Sequence, residues 1–128
     1  MSLWETIKRN MKTTFICYPK CTTCQKARKW LDDNHIQYDF RDIKLNNPAA
    51  EELSTWIKKS GLPIKKFFNT SGLLYKEQNM KDKVDVLPEK ELLHILASDG
   101  MMVKRPLLIT ENAVLVGFKE AEWENKLL

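Results

Sequence analysis

No apolar run in this chain approaches the roughly 20 residues that a bilayer-spanning helix needs. Met1 to Asn10 lack the apolar centre of a secretory signal, so the expected location is the cytosol. There is no internal repeat, low-complexity tract or flexible linker, which argues for one domain. Zinc is disfavoured, because no second Cys or His pair completes a tetrahedral set. No basic helix or interleaved aromatic stripe marks a surface that would bind nucleic acid directly. In a reducing compartment, three cysteines point to catalysis, metal or packing rather than structural bridges.

What is present fits an ordinary globular domain. The 128 residues are 43% hydrophobic and 30% charged, with a formal net charge of +4. That length supports one core without disulfides or a structural metal. The lysines, among them Lys58-Lys59, Lys65-Lys66, Lys76, Lys81 and Lys83, are scattered and read as solvated faces. Residues 1–10 read as an N-terminal extension or a remnant ahead of a start at Met11. A short helix through Trp4, Ile7 and Lys8 is one form they could take.

The chemistry concentrates at Cys21-Thr22-Thr23-Cys24. Phe15 to Tyr18 reads as a short buried strand that Pro19 ends. A helical pattern follows, with Ala27, Trp30, Leu31 and Asn34 on one face. Cys21 then falls at the helix N-terminus, where the first N–H groups lack internal partners and the helix dipole is positive. A thiolate placed there is stabilised and becomes a usable nucleophile near neutral pH. Cys24, one turn further, can attack a mixed disulfide formed at Cys21. Strand, Cys-x-x-Cys, helix is the sequence form of a dithiol redox site.

Along the rest of the chain, Ile36 to Ile43 alternates as a second strand, and the short strand–helix–strand span predicts parallel pairing. Asn47-Pro48 reads as N-cap and first turn of a helix with Leu53, Trp56 and Ile57 inward, ending at Gly61. Pro63 opens a helical piece through Ile64, Phe67 and Phe68. A turn at Asn69 to Gly72 and a short helix from Tyr75 to about Met80 follow. Leu87-Pro88 begins a helix with Leu92, Leu93, Ile95 and Leu96 inward, which Asp99-Gly100 ends. Arg105 to Thr110 and Ala113 to Gly117 form a hairpin around Glu111-Asn112. Phe118 to Leu128 makes a last helix through Ala121, Trp123 and Leu127. The order predicts an α/β, thioredoxin-like fold: a mixed four-stranded sheet (β-α-β, then β-β-α) with a helical insertion between strands 2 and 3. We expect a single domain over residues 11–128, with the insertion at about 48–98.

Three stretches carry a family resemblance: Cys17 to Ala27, Leu62 to Gly72, and Lys104-Arg105-Pro106-Leu107-Leu108. Together they resemble the arsenate reductase (ArsC-like) family and its Spx/MgsR branch, over roughly residues 12–127. The resemblance implies a thioredoxin-like fold with a helical insertion and makes Cys21 the nucleophile. It maps an Arg-Pro pair onto Arg105-Pro106, with the proline cis and against the active cysteine. Arg105 would then lie near Cys21, to stabilise a thiolate or bind an oxyanion. Two departures stand out. Arsenate reductases of this type hold the oxyanion with a set of arginines, and here only Arg105 remains. Asn69-Thr70-Ser71-Gly72 and Ala113-Val114-Leu115-Val116-Gly117 occupy the places of the others. Single-cysteine arsenate reductases also rely on an external thiol such as glutathione, whereas Cys24 can resolve Cys21 internally.

Simpler readings stand beside these. Cys21 and Cys24 could be unrelated thiols that cap and pack a helix, and Cys17 reads as a small apolar residue of a core strand. Cys17, Cys21 and Cys24 also have the spacing of a radical-SAM iron–sulfur site, but that fold needs a much larger barrel. Lys20 either favours the thiolate by its charge or is a surface lysine. Thr22 and Thr23 either donate to the thiolate or only cap the helix. His35 and His94 read as surface or cap residues, and Trp30, Trp56 and Trp123 as core.

The resulting expectation is a thiol–disulfide oxidoreductase with Cys21 as nucleophile, Cys24 resolving, and Arg105 stabilising the anion. Lys20, Thr22, Thr23 and Pro106 border the substrate. No bound cofactor is expected; glutathione or thioredoxin would serve as external reductant, and nothing requires more than a monomer. The alternative is an Spx-like redox-sensing regulator that binds RNA polymerase through its α subunit, using the insertion at about 48–82. Arsenate reduction ranks third.

Overall fold

A computed structural model describes residues 12–128. The readings for residues 1–10 lie outside the described part. Strand β1 (Thr14–Cys17) leads into helix α1 (Thr22–Asp33), then strand β2 (Asp39–Asp42). Helices α2 (Ala50–Ser60), α3 (Leu73–Glu77), α4 (Met80–Lys83) and α5 (Glu89–Ser98) follow. Two 3-10 turns, Ile64–Phe67 and Gly100–Met102, lie among them. Strands β3 (Leu107–Ile109) and β4 (Val114–Val116) and helix α6 (Glu120–Leu127) complete the chain.

The sheet order is β2-β1-β3-β4. β1 runs parallel to β2, with Phe15 opposite Phe40, and antiparallel to β3, with Phe15 opposite Leu108. β3 and β4 form the expected hairpin. This is the mixed, thioredoxin-like arrangement, with every helix of the 50–98 segment between strands 2 and 3.

Period-two alternation along β1 divides the core. Ile16 faces a cluster that includes Leu53, Ile57, Leu92, Leu96 and Met102 from the helical middle. Phe15 and Cys17 face the other side, against Cys24, Ala27, Trp30 and Leu31 of α1 and Trp123 of α6. Phe15, Trp30 and Phe118 all meet Trp123 at steep ring angles. The sheet is therefore covered on both faces, and the cysteines sit in the layer between it and α1.

Several boundaries differ from the sequence expectation. Helix α2 starts at Ala50 with Ala49, not Asn47, at the cap, and Glu52 reaches back to the Ala49 N–H. Asn47 instead donates its side-chain amide to the Ala97 carbonyl at 2.7 Å, tying the loop to the end of α5. The single helix expected from Tyr75 to Met80 is two short ones, because Asn79 takes a left-handed conformation at φ 53°. Strand 2 is shorter than Ile36 to Ile43. Ala121 faces solvent, and Trp123 carries the burial of α6.

Gly100 fixes how the insertion joins the sheet. A Cβ there would overlap the Ile43 carbonyl oxygen and lie 2.6 Å from its carbon. The Ile43 N–H in turn donates to the Cys17 carbonyl at 2.9 Å. The helical middle thus presses, through one backbone contact, on the strand that carries Cys17.

Candidate active site

The strand-to-helix turn after β1 is built by its own backbone. Pro19 ends the strand, and the Cys21 N–H donates back to the Tyr18 carbonyl at 2.9 Å. The Gln25 side chain donates to the Pro19 carbonyl at 3.0 Å and pins the loop from the helix side. Cys21 is the N-cap of α1, in extended conformation (φ −86°, ψ 124°), and its carbonyl accepts the Gln25 N–H. Among the described residues no side chain caps this terminus, and no acidic residue lies in the first turn. The positive end of a 12-residue helix is left to whatever charge Cys21 carries.

The two thiols occupy different environments. Cys21 is partly exposed, whereas Cys24 is 1% exposed and lies one turn inside. The Tyr18 N–H points at the Cys24 sulfur at 3.4 Å. Cys24 and Cys17 lie in one buried cluster, with the partly exposed Cys21 packed against it. Donation toward Cys17, reinforced by burial, pushes the Cys24 thiol far above the ordinary thiol range. The same hydrogen bond draws the Cys17 thiol down, against the desolvation of its buried site; the Arg28 charge assists. In the reduced protein Cys24 therefore holds its proton, and the accessible sulfur is that of Cys21.

The Arg105-Pro106 bond is cis, and Pro106 is buried, its carbonyl accepting the Gly117 N–H at 2.8 Å. Arg105 lies over the Tyr18 ring, 5.4 Å from its centroid, with one terminal nitrogen 3.5 Å from the Met101 carbonyl. Its Nε is buried without a partner among the described residues. The Asn69 side chain approaches the same Met101 carbonyl, so the Asn69 to Gly72 turn lies beside Arg105. The Lys44 ammonium sits 6.0 Å from the Tyr18 ring. Tyr18 thus carries a cation near each of two positions, and its carbonyl holds Cys21 in place.

The remaining predicted residues divide clearly. Lys20, Thr22 and Thr23 are exposed at the mouth of the site. Among the described residues, the Thr22 and Thr23 side chains do not cap α1, so the reading of their hydroxyls as caps loses its support. His35 and His94 are exposed. Trp30 and Trp123 are core, while Trp56 is half-buried beneath the Arg41 guanidinium. Sequence reasoning missed Tyr18, Lys44 and the shared burial of Cys17 with Cys24. Alternation along β1 puts Cys17 on the side of Phe15, but which helix covers that side is a tertiary fact.

The chain has relatives among known proteins. The chain is 49% identical over 114 residues to the uncharacterized protein YusI of Bacillus subtilis, covering 89% of this chain and 97% of that protein. It is 30% identical over 109 residues to the global transcriptional regulator Spx of Enterococcus faecalis, covering 85% and 81%. The crystal structure of a protein described as ArsC family related, from Bacteroides fragilis, matches with a TM-score of 0.87 and 56% identity, over 90% of this chain and 97% of that one. A sequence model of the ArsC family spans residues 17–126, from the first cysteine to the last helix, and the chain belongs to the ArsC family.

Proposed function

We propose that the chain is a thiol–disulfide oxidoreductase in which Cys21 is the nucleophile and Cys24 the resolving thiol. One observation carries this reading: a partly exposed cysteine at a helix N-terminus that no described side chain caps, with a second, buried cysteine one turn behind it. The Cys21 thiolate attacks one sulfur of a substrate disulfide; the S–S bond breaks and the other half leaves as a thiolate. The Cys24 sulfur then attacks Cys21 and displaces the bound half. The Cys24 proton passes to that leaving thiolate, and a Cys21–Cys24 disulfide remains. An external thiol such as glutathione, or a thioredoxin-type dithiol, returns both cysteines to the reduced state. Because Cys24 is buried and keeps its proton, it does not compete with Cys21 for substrate. Arg105 and Lys44 beside Tyr18 favour a substrate or reductant bearing carboxylates, and the exposed Lys20, Thr22 and Thr23 line its approach.

The test is turnover of a glutathione mixed disulfide by the wild-type protein and by Cys21→Ser. The proposal expects turnover that Cys21→Ser abolishes; equal rates for the two proteins would end it. A second reading has its own support, since a relative of 30% identity is named a global transcriptional regulator. In that reading the same dithiol switches a surface, formed by the 48–82 insertion, that binds the RNA polymerase α subunit. Redox-dependent capture of that subunit without turnover would select it. Arsenate reduction is the third reading. Asn69 stands beside Arg105, at the Met101 carbonyl, where another guanidinium would strengthen oxyanion binding.

A further inference from the structure

The proposed mechanism uses Cys21 and Cys24 and leaves Cys17 idle, although the structure places it in the same buried layer as the resolving cysteine. Cys17 closes β1 and is 2% exposed. It shares one buried cluster with Cys24. The next backbone N–H, that of Tyr18, points at the Cys24 sulfur at 3.4 Å, so strand and helix meet at that atom. The Cys24 sulfur thus lies next to the residue that follows Cys17, and the partly exposed Cys21 packs against the same cluster. A sulfur with a thiol on each side can be bridged to either.

We propose that Cys17 is a third member of the redox site, able to take over the disulfide from Cys21. The step is an internal exchange. The Cys17 sulfur, giving up its proton, attacks the Cys24 sulfur of the Cys21–Cys24 disulfide. That S–S bond breaks, a Cys17–Cys24 bond forms, and Cys21 leaves as a thiolate that takes up the proton. One disulfide is present before and after, so no oxidant or reductant is needed. The result is an oxidised protein whose oxidising equivalent is buried and whose entry thiol is free again. Burial shields the inner bridge from external thiols, so the two oxidised forms differ in how readily they are reduced.

The inference rests on the dithiol reading, and tryptic cleavage separates the two. Cleavage after Lys12, Lys20 and Lys26 puts Cys17 in peptide 13–20 and both Cys21 and Cys24 in peptide 21–26. The folded wild-type protein is oxidised with diamide to one disulfide per monomer and sampled at once. It is then held with excess N-ethylmaleimide, quenched in acid, digested and analysed by mass spectrometry. The first sample should show a bridge inside peptide 21–26. The maleimide-treated sample should show peptide 13–20 joined to 21–26 through Cys17 and Cys24, with Cys21 alkylated, because trapping Cys21 draws the exchange forward. A bridge that stays inside 21–26 with no Cys21 label overturns the inference and leaves the dithiol reading intact. A link that fragmentation assigns to Cys17 and Cys21 overturns it as well. A first sample without the 21–26 bridge overturns the dithiol reading, and the exchange falls with it.

Discussion

Replacing Gly100 by alanine tests whether the helical insertion is locked to the cysteine-bearing strand as described. The new Cβ would overlap the Ile43 carbonyl oxygen and lie 2.6 Å from its carbon and 3.3 Å from the Asn47 Cβ. The first two are backbone atoms, so no side chain can swing aside. Overpacking a buried site typically costs about 1–3 kcal/mol, and a clash with fixed backbone belongs at or above the top of that range. Gly61 is the internal control. It ends α2 at φ 71° with nothing within 4 Å of an added Cβ. Gly61→Ala therefore incurs only the left-handed conformational penalty of about 1–2 kcal/mol, partly offset by a less flexible unfolded chain. For a chain of this size 1 kcal/mol moves Tm by roughly 3–6 °C. Thermal unfolding should thus show Gly100→Ala at least ~10 °C below wild type, and Gly61→Ala only about 5 °C below. Because Ile43 holds the Cys17 carbonyl, any Gly100→Ala protein that folds should also expose Cys17 to maleimide. A Gly100→Ala protein as stable as Gly61→Ala would refute the close contact and the coupling built on it.

Two further outcomes follow from the site and its supports. Cys24→Ser should still form a mixed disulfide at Cys21 with oxidised glutathione but fail to resolve it. Mass spectrometry should then find the glutathione adduct accumulating there and not on wild type. Glu52 takes a bidentate bond from Arg41, at 2.7 and 2.9 Å, which holds its carboxyl below the usual carboxylate range. A depressed carboxyl contributes stability above its unfolded value, about 4.3, and loses it as pH falls through the folded value. Urea unfolding should show wild type more stable than Glu52→Gln at neutral pH, by under about 1 kcal/mol given its exposure. That gap should close in acid; a gap independent of pH would show that the pair does not act through charge.

The dithiol was legible because its signals are local. Pro19 ends one pattern, helical periodicity starts another, and the cysteine spacing fixes one turn between the sulfurs. Parallel pairing of β1 with β2 followed from the short span between them, and the β3–β4 hairpin from two apolar runs around Glu111-Asn112. What escaped notice depends on partners far along the chain. Asn47 looks like a cap, yet bonding to Ala97, 50 residues away, satisfies it better. The break at Asn79 uses a left-handed residue that sequence tolerates without announcing. Tyr18 reads as the end of a strand, and only the fold brings Arg105 and Lys44 to its ring. Cys17 reads correctly as buried, but its neighbour across the layer is set by how α1 lies on the sheet.

The most direct test of the central claim is a redox titration of the folded protein in glutathione buffers, with free thiols counted by alkylation and mass. All three cysteines are free in the reduced state. The account predicts one reversible two-electron step in which two thiols vanish together, one remains, and no glutathione stays attached. Three free thiols at every potential, or a lasting glutathione adduct on Cys21, would contradict it.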